Sequence, residues 1–277
     1  MPTPIQELSD TTYRQIAALM QASIGLSLND SKKALVSARL SPRMHHLALD
    51  SFEAYLQRIT AEADVGEFQV AVDLLTTNET YFFREPQHFD LLEQTLSRQR
   101  PASLAVWSAA SSFGDEAYSI AMLLSDLQQQ GLLGGGWSVL GTDISDRVLR
   151  SARQAVYPQA RLRCVSPQRL RRYCLRGEGE AEGLVQIQER LTERVQFGQL
   201  NLCRPIEPLG PFDVVFLRNV LIYFDQDTKR AVVERVLARL RPGGLFFIGT
   251  AECRVPSGTE LQPLAPGVFR KPVSSSR

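Results

Sequence analysis

Between residues 103 and 248, short apolar runs alternate with amphipathic helical stretches, and this alternation constrains the fold more than any other feature of the chain. "SLAVWSAA" reads as a strand. It leads into "SSFGDEAYSIAMLLSDLQQQ", where Tyr118, Ala121, Met122, Leu124 and Leu127 make a helical stripe. "GGGWSVLGTDIS" is a turn and a second strand, and "DRVLRSARQAVY" is a helix that Pro158 is expected to end. "GPFDVVFLRNVLIYF" is a buried strand running into a loop. "DTKRAVVERVLARLRPGG" is a helix with Arg-Pro-Gly-Gly as its stop, and "LFFIGTAE" is a further buried strand. Strands separated by helices predict a parallel sheet covered by helices on both faces. "GVFRKP" is expected as one more strand at an edge.

The flanking regions read differently. Residues 11–75 are helical in pattern. Ile16, Leu19, Met20 and Ile24 share one face with Gly25 as a stop, Asn29 or Asp30 is placed to cap the next helix, and Ser51 begins another. "EFQVAVDLLTTN" is the last of this group. The expected division is a helical domain over 1–75, a linker over 76–100 that contributes to the site, and a sheet domain over 101–277. Within the last, residues of about 177–200 break the rhythm. "LVQIQ" and "RVQFGQL" alternate apolar and polar residues, which predicts a small antiparallel β insertion with a Gly-rich loop. The tail "PVSSSR" is expected to be disordered. With 277 residues and 44% hydrophobic content the chain suffices for a full core. The start, "MPTPIQELSDTTYR", has acids and no apolar run, so no signal peptide is expected. The longest apolar runs are too short to span a bilayer. Cys164, Cys174, Cys203 and Cys253 have no paired spacing, which points to reduced thiols in a cytoplasm rather than a metal or disulfide framework.

Ligands of such a sheet bind beyond the carboxyl ends of its strands, where strand order reverses. Three segments meet that description. "WSAASSFGDEAY" has small residues for close backbone approach but a single glycine, Gly114, and two acids, Asp115 and Glu116, that repel phosphate and suit a cation. Asp143 ends the second strand, the usual place of an acid that bonds a ribose diol. Arg218, Asn219 and Tyr223 leave the strand "VVFL". A nucleoside without a phosphate grip, held by an acid on its ribose and carrying a positive centre, is S-adenosylmethionine. The residues thus point to a class I methyltransferase with a Rossmann-like α/β sheet.

"LTTNETYFFREPQHF", "WSAASSFGDEAYSIAM", "GTDIS", "GPFDVVFLRNVLIYFD" and "RLRPGGLFFIG", in this order and spacing, closely resemble the CheR-type chemotaxis receptor methyltransferases of bacteria, over nearly the whole chain. The resemblance implies methyl transfer from S-adenosylmethionine to glutamate side chains of chemoreceptors, leaving S-adenosylhomocysteine. It implies that Asn78, Thr80 and Arg84 reach the cofactor from the linker while Tyr81, Phe82 and Phe83 pin that linker. Glu116 would hold the amino-acid end, Asp143 the ribose, and Asn201 and Leu202 would flank the adenine. Arg218 and Asn219 would line the sulfonium side. Arg84 and Tyr223 are the catalytic candidates, Arg84 orienting the incoming carboxylate and Tyr223 on the substrate side. The cofactor turn departs from the family's common Ser-Thr-Gly-Glu-Glu-Pro-Tyr: here Phe113 intrudes, Asp115 shortens an acid and Ala117 replaces a proline.

By the same resemblance, a basic helix carrying Lys32, Arg39, Arg43 and His46 docks on the acidic methylation region of the receptor, although Pro42 is expected to divide that helix. "LRGEGEAEGLVQIQ", with Gly177, Gly179 and Gly183, matches the insertion that in some members binds a receptor's C-terminal peptide by strand addition. Plainer readings stand beside these. Asp143 can also be read as a helix cap, Glu116 as a first-turn acid, Arg84 as an ion-pair partner, Tyr223 as core and the basic helix as a solvated face. The net charge is +1, yet residues 147–177 hold nine arginines and no acid. That run supports a rival, a nucleic-acid methyltransferase, although "RNVLIY" stands where an amine-methylating Asn-Pro-Pro-Tyr would be. The other rival is a cofactor-binding scaffold that the change at Phe113 has left without turnover.

Overall fold

The computed structural model describes residues 5–61, 64–207, 209–252, 255–256 and 258–273. Cys253 and tail residues 274–277 lie outside them, so the expectations for that thiol and the end of the tail go no further. The chain separates into two units: residues 1–77 with the returning segment 223–228, and residues 78–222 with 229–277.

The first unit is helical, as its periodicity predicts. Helix α1 (Asp10–Ile24) is capped by the Ser9 hydroxyl and stopped by Gly25 in the left-handed region at φ 73°. A 3-10 turn at Asp30–Lys32 precedes α2 (Lys33–His46), and neither Asn29 nor Asp30 caps that helix with its side chain. Pro42 lies inside α2 rather than dividing it. Pro42 is exposed, and so is Ala38, whose carbonyl loses its N–H partner. Helix α3 (Phe52–Thr60) is capped by Ser51 and α4 (Val65–Leu75) by Asp64.

The second unit begins with α5 (Pro86–Gln99), a full helix inside the stretch expected as linker. There follow β1 (Ser103–Ser108), α6 (Asp115–Gln129), β2 (Gly136–Asp143) and α7 (Asp146–Gln154). Next come β3 (Val156–Pro158), α8 (Pro167–Tyr173), β4 (Cys174–Arg176), β5 (Leu184–Ile187), α9 (Glu189–Thr192) and β6 (Val195–Gln199). The chain continues through β7 (Phe212–Leu217), α10 (Gln226–Leu237), β8 (Leu240–Ile248), β9 (Gln262–Ala265) and β10 (Val268–Arg270). The main sheet has the order β6-β2-β1-β7-β8-β10-β9. Its first five strands are parallel, and β10 and β9 join antiparallel. The α/β expectation therefore holds, and order reverses between β1 and β7.

Four local expectations change. Helix α7 stops at Ala155, which takes a left-handed conformation at φ 56°, so Pro158 ends a strand and not the helix. The small antiparallel sheet is β3-β5-β4. "RVQFGQL" belongs instead to the main sheet as β6, parallel to β2. "RPGG" is not the stop of α10 but the start of β8, where Gly243 turns at φ 78°. "GVFR" forms β10, an inner strand, and the edge is β9.

Candidate active site

The turn after β1 is built from backbone bonds between strand ends. Ala109 N–H donates to the Phe216 carbonyl at 2.8 Å and Ser111 N–H to the Thr142 carbonyl at 2.8 Å, tying the ends of β1, β2 and β7. Ser112 and Gly114 both take positive φ, 50° and 88°. A Cβ on Gly114 would meet the Phe197 ring at 2.9 Å and the Ala152 methyl at 3.0 Å, so both conformation and space require glycine.

Asp143, 7% exposed, sits beside this turn. Its Oδ2 accepts the Ser112 N–H at 2.9 Å and its Oδ1 the Ser145 N–H at 3.0 Å. The Ser145 hydroxyl, not Asp143, caps α7. Ser112 Oγ donates to the Asn78 carbonyl at 3.0 Å, which brings the start of the linker to the same turn. Leu200 N–H donates to the Asp143 carbonyl at 2.9 Å, so Asn201 and buried Leu202 follow directly at this rim. Asn201 Oδ1 accepts the Cys203 N–H at 2.9 Å.

A second cluster forms where β1 and β7 end. Glu116 Oε1 accepts from the Ser108 hydroxyl at 2.7 Å, and Oε2 accepts from Arg218 Nη1 at 3.1 Å. Desolvation raises the Glu116 carboxyl above its ordinary value despite the pull of Arg218. Arg218 is 6% exposed, and its Nη2 donates to the Arg84 carbonyl at 2.5 Å and lies 3.3 Å from Glu85 Oε2. Asn219 adopts φ 58° and donates its side-chain N–H to Glu85 Oε1 at 3.2 Å. Burial pushes the Glu85 carboxyl up, but Arg218, Asn219 and the Thr250 N–H outweigh it and hold it below the ordinary range. Half-buried Arg84 donates from Nη1 to the Glu79 carbonyl at 3.0 Å.

The linker is pinned by Phe82, 0% exposed, and Phe83, 4%. Phe82 meets Tyr157 edge-on at 5.0 Å, and Phe83 N–H donates to Ser119 Oγ at 2.9 Å. Tyr81 is half-buried, covered by Arg163 at 4.6 Å rather than sunk in the core. Asp115 does not face a ligand: it is fully buried and accepts from Arg161 Nη2 at 2.7 Å. Arg161 stacks 4.6 Å over the Phe113 ring with Arg147 at 5.5 Å, so the intruding phenyl is held among cations. The Thr80 carbonyl lies 3.4 Å from Arg161 Nη2.

The remaining candidates stand elsewhere. Tyr223 closes a 3-10 turn, and its carbonyl accepts the Ser27 N–H at 2.9 Å within the helical unit. Lys32 is exposed. Arg39 donates to the Leu75 carbonyl at 2.8 Å and to Thr77 Oγ1 at 3.0 Å. Arg43 pairs with buried Glu67 at 2.6 Å, which also accepts from Tyr55 at 3.0 Å. Gly177, Gly179 and Gly183 lie on the β4–β5 connection, the last two at φ 60° and 81°. A Cβ on Gly177 would strike the Ala181 carbonyl oxygen at 2.1 Å.

The donor set suits a nucleoside with a cationic centre. Carboxylates end β2 and begin α6, and among the described residues the buried Ser111 hydroxyl has no partner. Among the described residues no group of His, Cys, Asp and Glu is arranged to hold a metal. No described helix is long and apolar enough to cross a membrane. Glu85 and Glu252 escaped the sequence reading.

Comparison with known proteins adds the family. Residues 11–76 match the profile described as CheR methyltransferase, all-alpha domain, and residues 78–264 match CheR methyltransferase, SAM binding domain. The chemotaxis protein methyltransferases of Salmonella typhimurium and Escherichia coli are each 42% identical over 246 residues. These alignments cover 88% of this chain and 84% and 85% of those proteins. Chemotaxis protein methyltransferase 2 of Pseudomonas aeruginosa is 41% identical over 261 residues, 91% of each chain.

Proposed function

The chain belongs to the CheR methyltransferase family, and from that premise we propose that it methylates glutamate side-chain carboxylates of chemoreceptors in the cytoplasm. The observation that carries the site reading is the gathering of Glu116, Arg218, the Arg84 carbonyl, Asp143 and the Ser112 turn at one rim of the sheet. Asp143, its carboxylate already oriented by two N–H donors, takes the ribose hydroxyls. Asn201 and Leu202 flank the adenine, Asn78 and Thr80 close the linker side, and Glu116 takes the amino-acid end. Bound S-adenosylmethionine supplies a methyl group on a sulfonium, a good leaving group whose product is S-adenosylhomocysteine.

The protein's share of the chemistry is placement. A glutamate carboxylate is already ionised at neutral pH, so no general base is required. Holding nucleophile and methyl in line contributes roughly 7–11 kcal/mol. Arg84 orients the incoming carboxylate from its half-buried position, Arg218 and Asn219 shape the sulfonium side, and Tyr223 meets the substrate. Lys32, Arg39 and Arg43 lie on the helix proposed to meet the receptor's methylation helices. The loop of Gly177, Gly179 and Gly183 is proposed to receive a C-terminal receptor peptide.

The test is incubation with tritiated-methyl cofactor and a panel of receptor cytoplasmic fragments, counting base-labile methyl esters. Labelled esters on glutamate are expected. Cofactor binding with no ester on any fragment would leave only a scaffold. Arg84→Ala is expected to keep its melting temperature and lose most of the transfer. Transfer near wild type would remove Arg84 from the mechanism.

A further inference from the structure

Two carboxylates outside the proposed chemistry hold the turn after β7. Glu252, 8% exposed, lies four residues beyond β8 and accepts three backbone N–H groups. Gly249 at 2.8 Å and Asn219 at 2.9 Å reach its Oε2, and Ile222 at 3.2 Å reaches its Oε1. Glu85 stands on the other side, with Oε1 on the Asn219 side-chain N–H at 3.2 Å and Oε2 on the Thr250 N–H at 3.0 Å. Asn219 is therefore gripped through its main chain by one acid and through its amide by the other.

The grip has work to do. Asn219 sits in the left-handed region at φ 58°, a conformation only glycine adopts freely, and the two acids hold it there. Charge-assisted bonds to backbone N–H groups are among the stronger anchors a fold has. Gly249 is part of the same construction: a Cβ there would come within 2.5 Å of Asn219 Nδ2 and 2.9 Å of Glu252 Oε2. The clamp ends where Arg218 meets Glu116 and the Arg84 carbonyl.

We propose that Glu252, assisted by Glu85, is a positioning residue that sets the Arg218–Ile222 turn and thereby the placement of Arg218 and Asn219 at the reaction centre. This rests on the site reading given above. Glu252 touches no reacting atom; it acts through the turn. The residues assigned above to ribose and adenine, Asp143, Asn201 and Leu202, end β2 or follow β6, on the far side of β1 from β7. Disturbing the clamp therefore impairs the transfer step more than cofactor affinity.

The experiment uses Glu252→Gln in the full chain. The amide nitrogen cannot accept a hydrogen bond, so at least one of the three N–H groups faces another donor. The expected result is kcat lowered roughly 10–100-fold, the range a small misplacement of reactants produces, with KM for the receptor fragment and calorimetric affinity for S-adenosylhomocysteine little changed. Glu85→Gln, which keeps one acceptor oxygen, is expected to show a smaller loss of the same kind. It carries the test if Glu252→Gln melts below the assay temperature. A folded Glu252→Gln protein with wild-type kcat, or with kcat and affinity falling equally, overturns the proposal. Asp143→Ala serves as the control on the site itself. If it leaves S-adenosylhomocysteine binding intact, the site reading fails, whatever Glu252 does.

Discussion

Asp115 is an acid whose charge the fold opposes. It is fully buried, Oδ2 has Arg161, and Oδ1 has no partner. Burial pushes its pKa from 3.8 up to about 6, with Arg161 pulling the other way. The folded state therefore holds this proton more tightly than the unfolded chain does. The associated stability is complete below pH of about 4 and is lost as pH rises through about 6, amounting to about 3 kcal/mol. Asp115→Asn does not titrate. Urea unfolding from pH 4 to 7 is thus expected to show the wild type losing stability relative to the variant up to about pH 6, then a constant difference. A difference independent of pH would mean the carboxyl is ionised throughout. The sequence marks both acids of "GDEAY" but not their directions: Glu116 turns to Ser108 and Arg218, Asp115 to an arginine 46 positions on. Glu85 and Glu252 were illegible for a related reason. Glu252 is bonded by backbone N–H groups, which leave no pattern in side-chain identity, and Glu85 meets Arg218, Asn219 and Thr250, more than a hundred positions away.

The sequence presents helix α2 as a basic face, and its register in the fold divides that face by task. Val36, Leu40 and Met44 are buried at helical spacing. Arg39 ties the end of α4, and Arg43 neutralises buried Glu67. Removing Arg43 leaves that buried acid, among the described residues, with the Tyr55 hydroxyl as its remaining side-chain partner, an uncompensated charge that destabilises the fold. Arg43→Ala is accordingly expected to lower the melting temperature sharply. Lys32 is exposed, and Lys32→Glu is expected to leave melting unchanged while raising KM for receptor fragments at low salt, an effect that fades as salt screens it. If Lys32→Glu leaves KM unaltered, the docking role does not rest on this charge. Strand character was legible in the same way: alternation in "RVQFGQL" marks a strand correctly. It cannot choose between the nearby insertion and β2, which Val195–Gln199 joins from more than fifty residues away. Arg-Pro-Gly-Gly looked like a helix stop because glycine serves both helix ends and strand turns, and only tertiary pairing with β7 decides for the latter.

At the scale of the chain, the nine arginines of 147–177 look like an unbalanced charge because the acids that answer them all lie outside that window. Arg161 takes Asp115, and Arg169 and Arg172 share Asp126 of α6. Arg150 pairs with Asp146, and Arg153 donates to the Phe197 carbonyl at 3.0 Å. Arg147 and Arg163 lie over the rings of Phe113 and Tyr81. Arg161, Arg169 and Arg172 thus fasten the segment around α8 to α6, and the chain as a whole carries a net charge of only +1. Nucleic-acid affinity depends on free cations that displace counterions from phosphates. A chain whose arginines are committed to carboxylates and rings has few to spend. Fluorescence anisotropy with labelled single- and double-stranded oligonucleotides between 50 and 200 mM salt is expected to give weak binding, with a log–log slope of about one or less. A slope near that of roughly six phosphate contacts, with micromolar affinity, would return the arginines to a nucleic-acid surface and count against a protein carboxylate as the substrate.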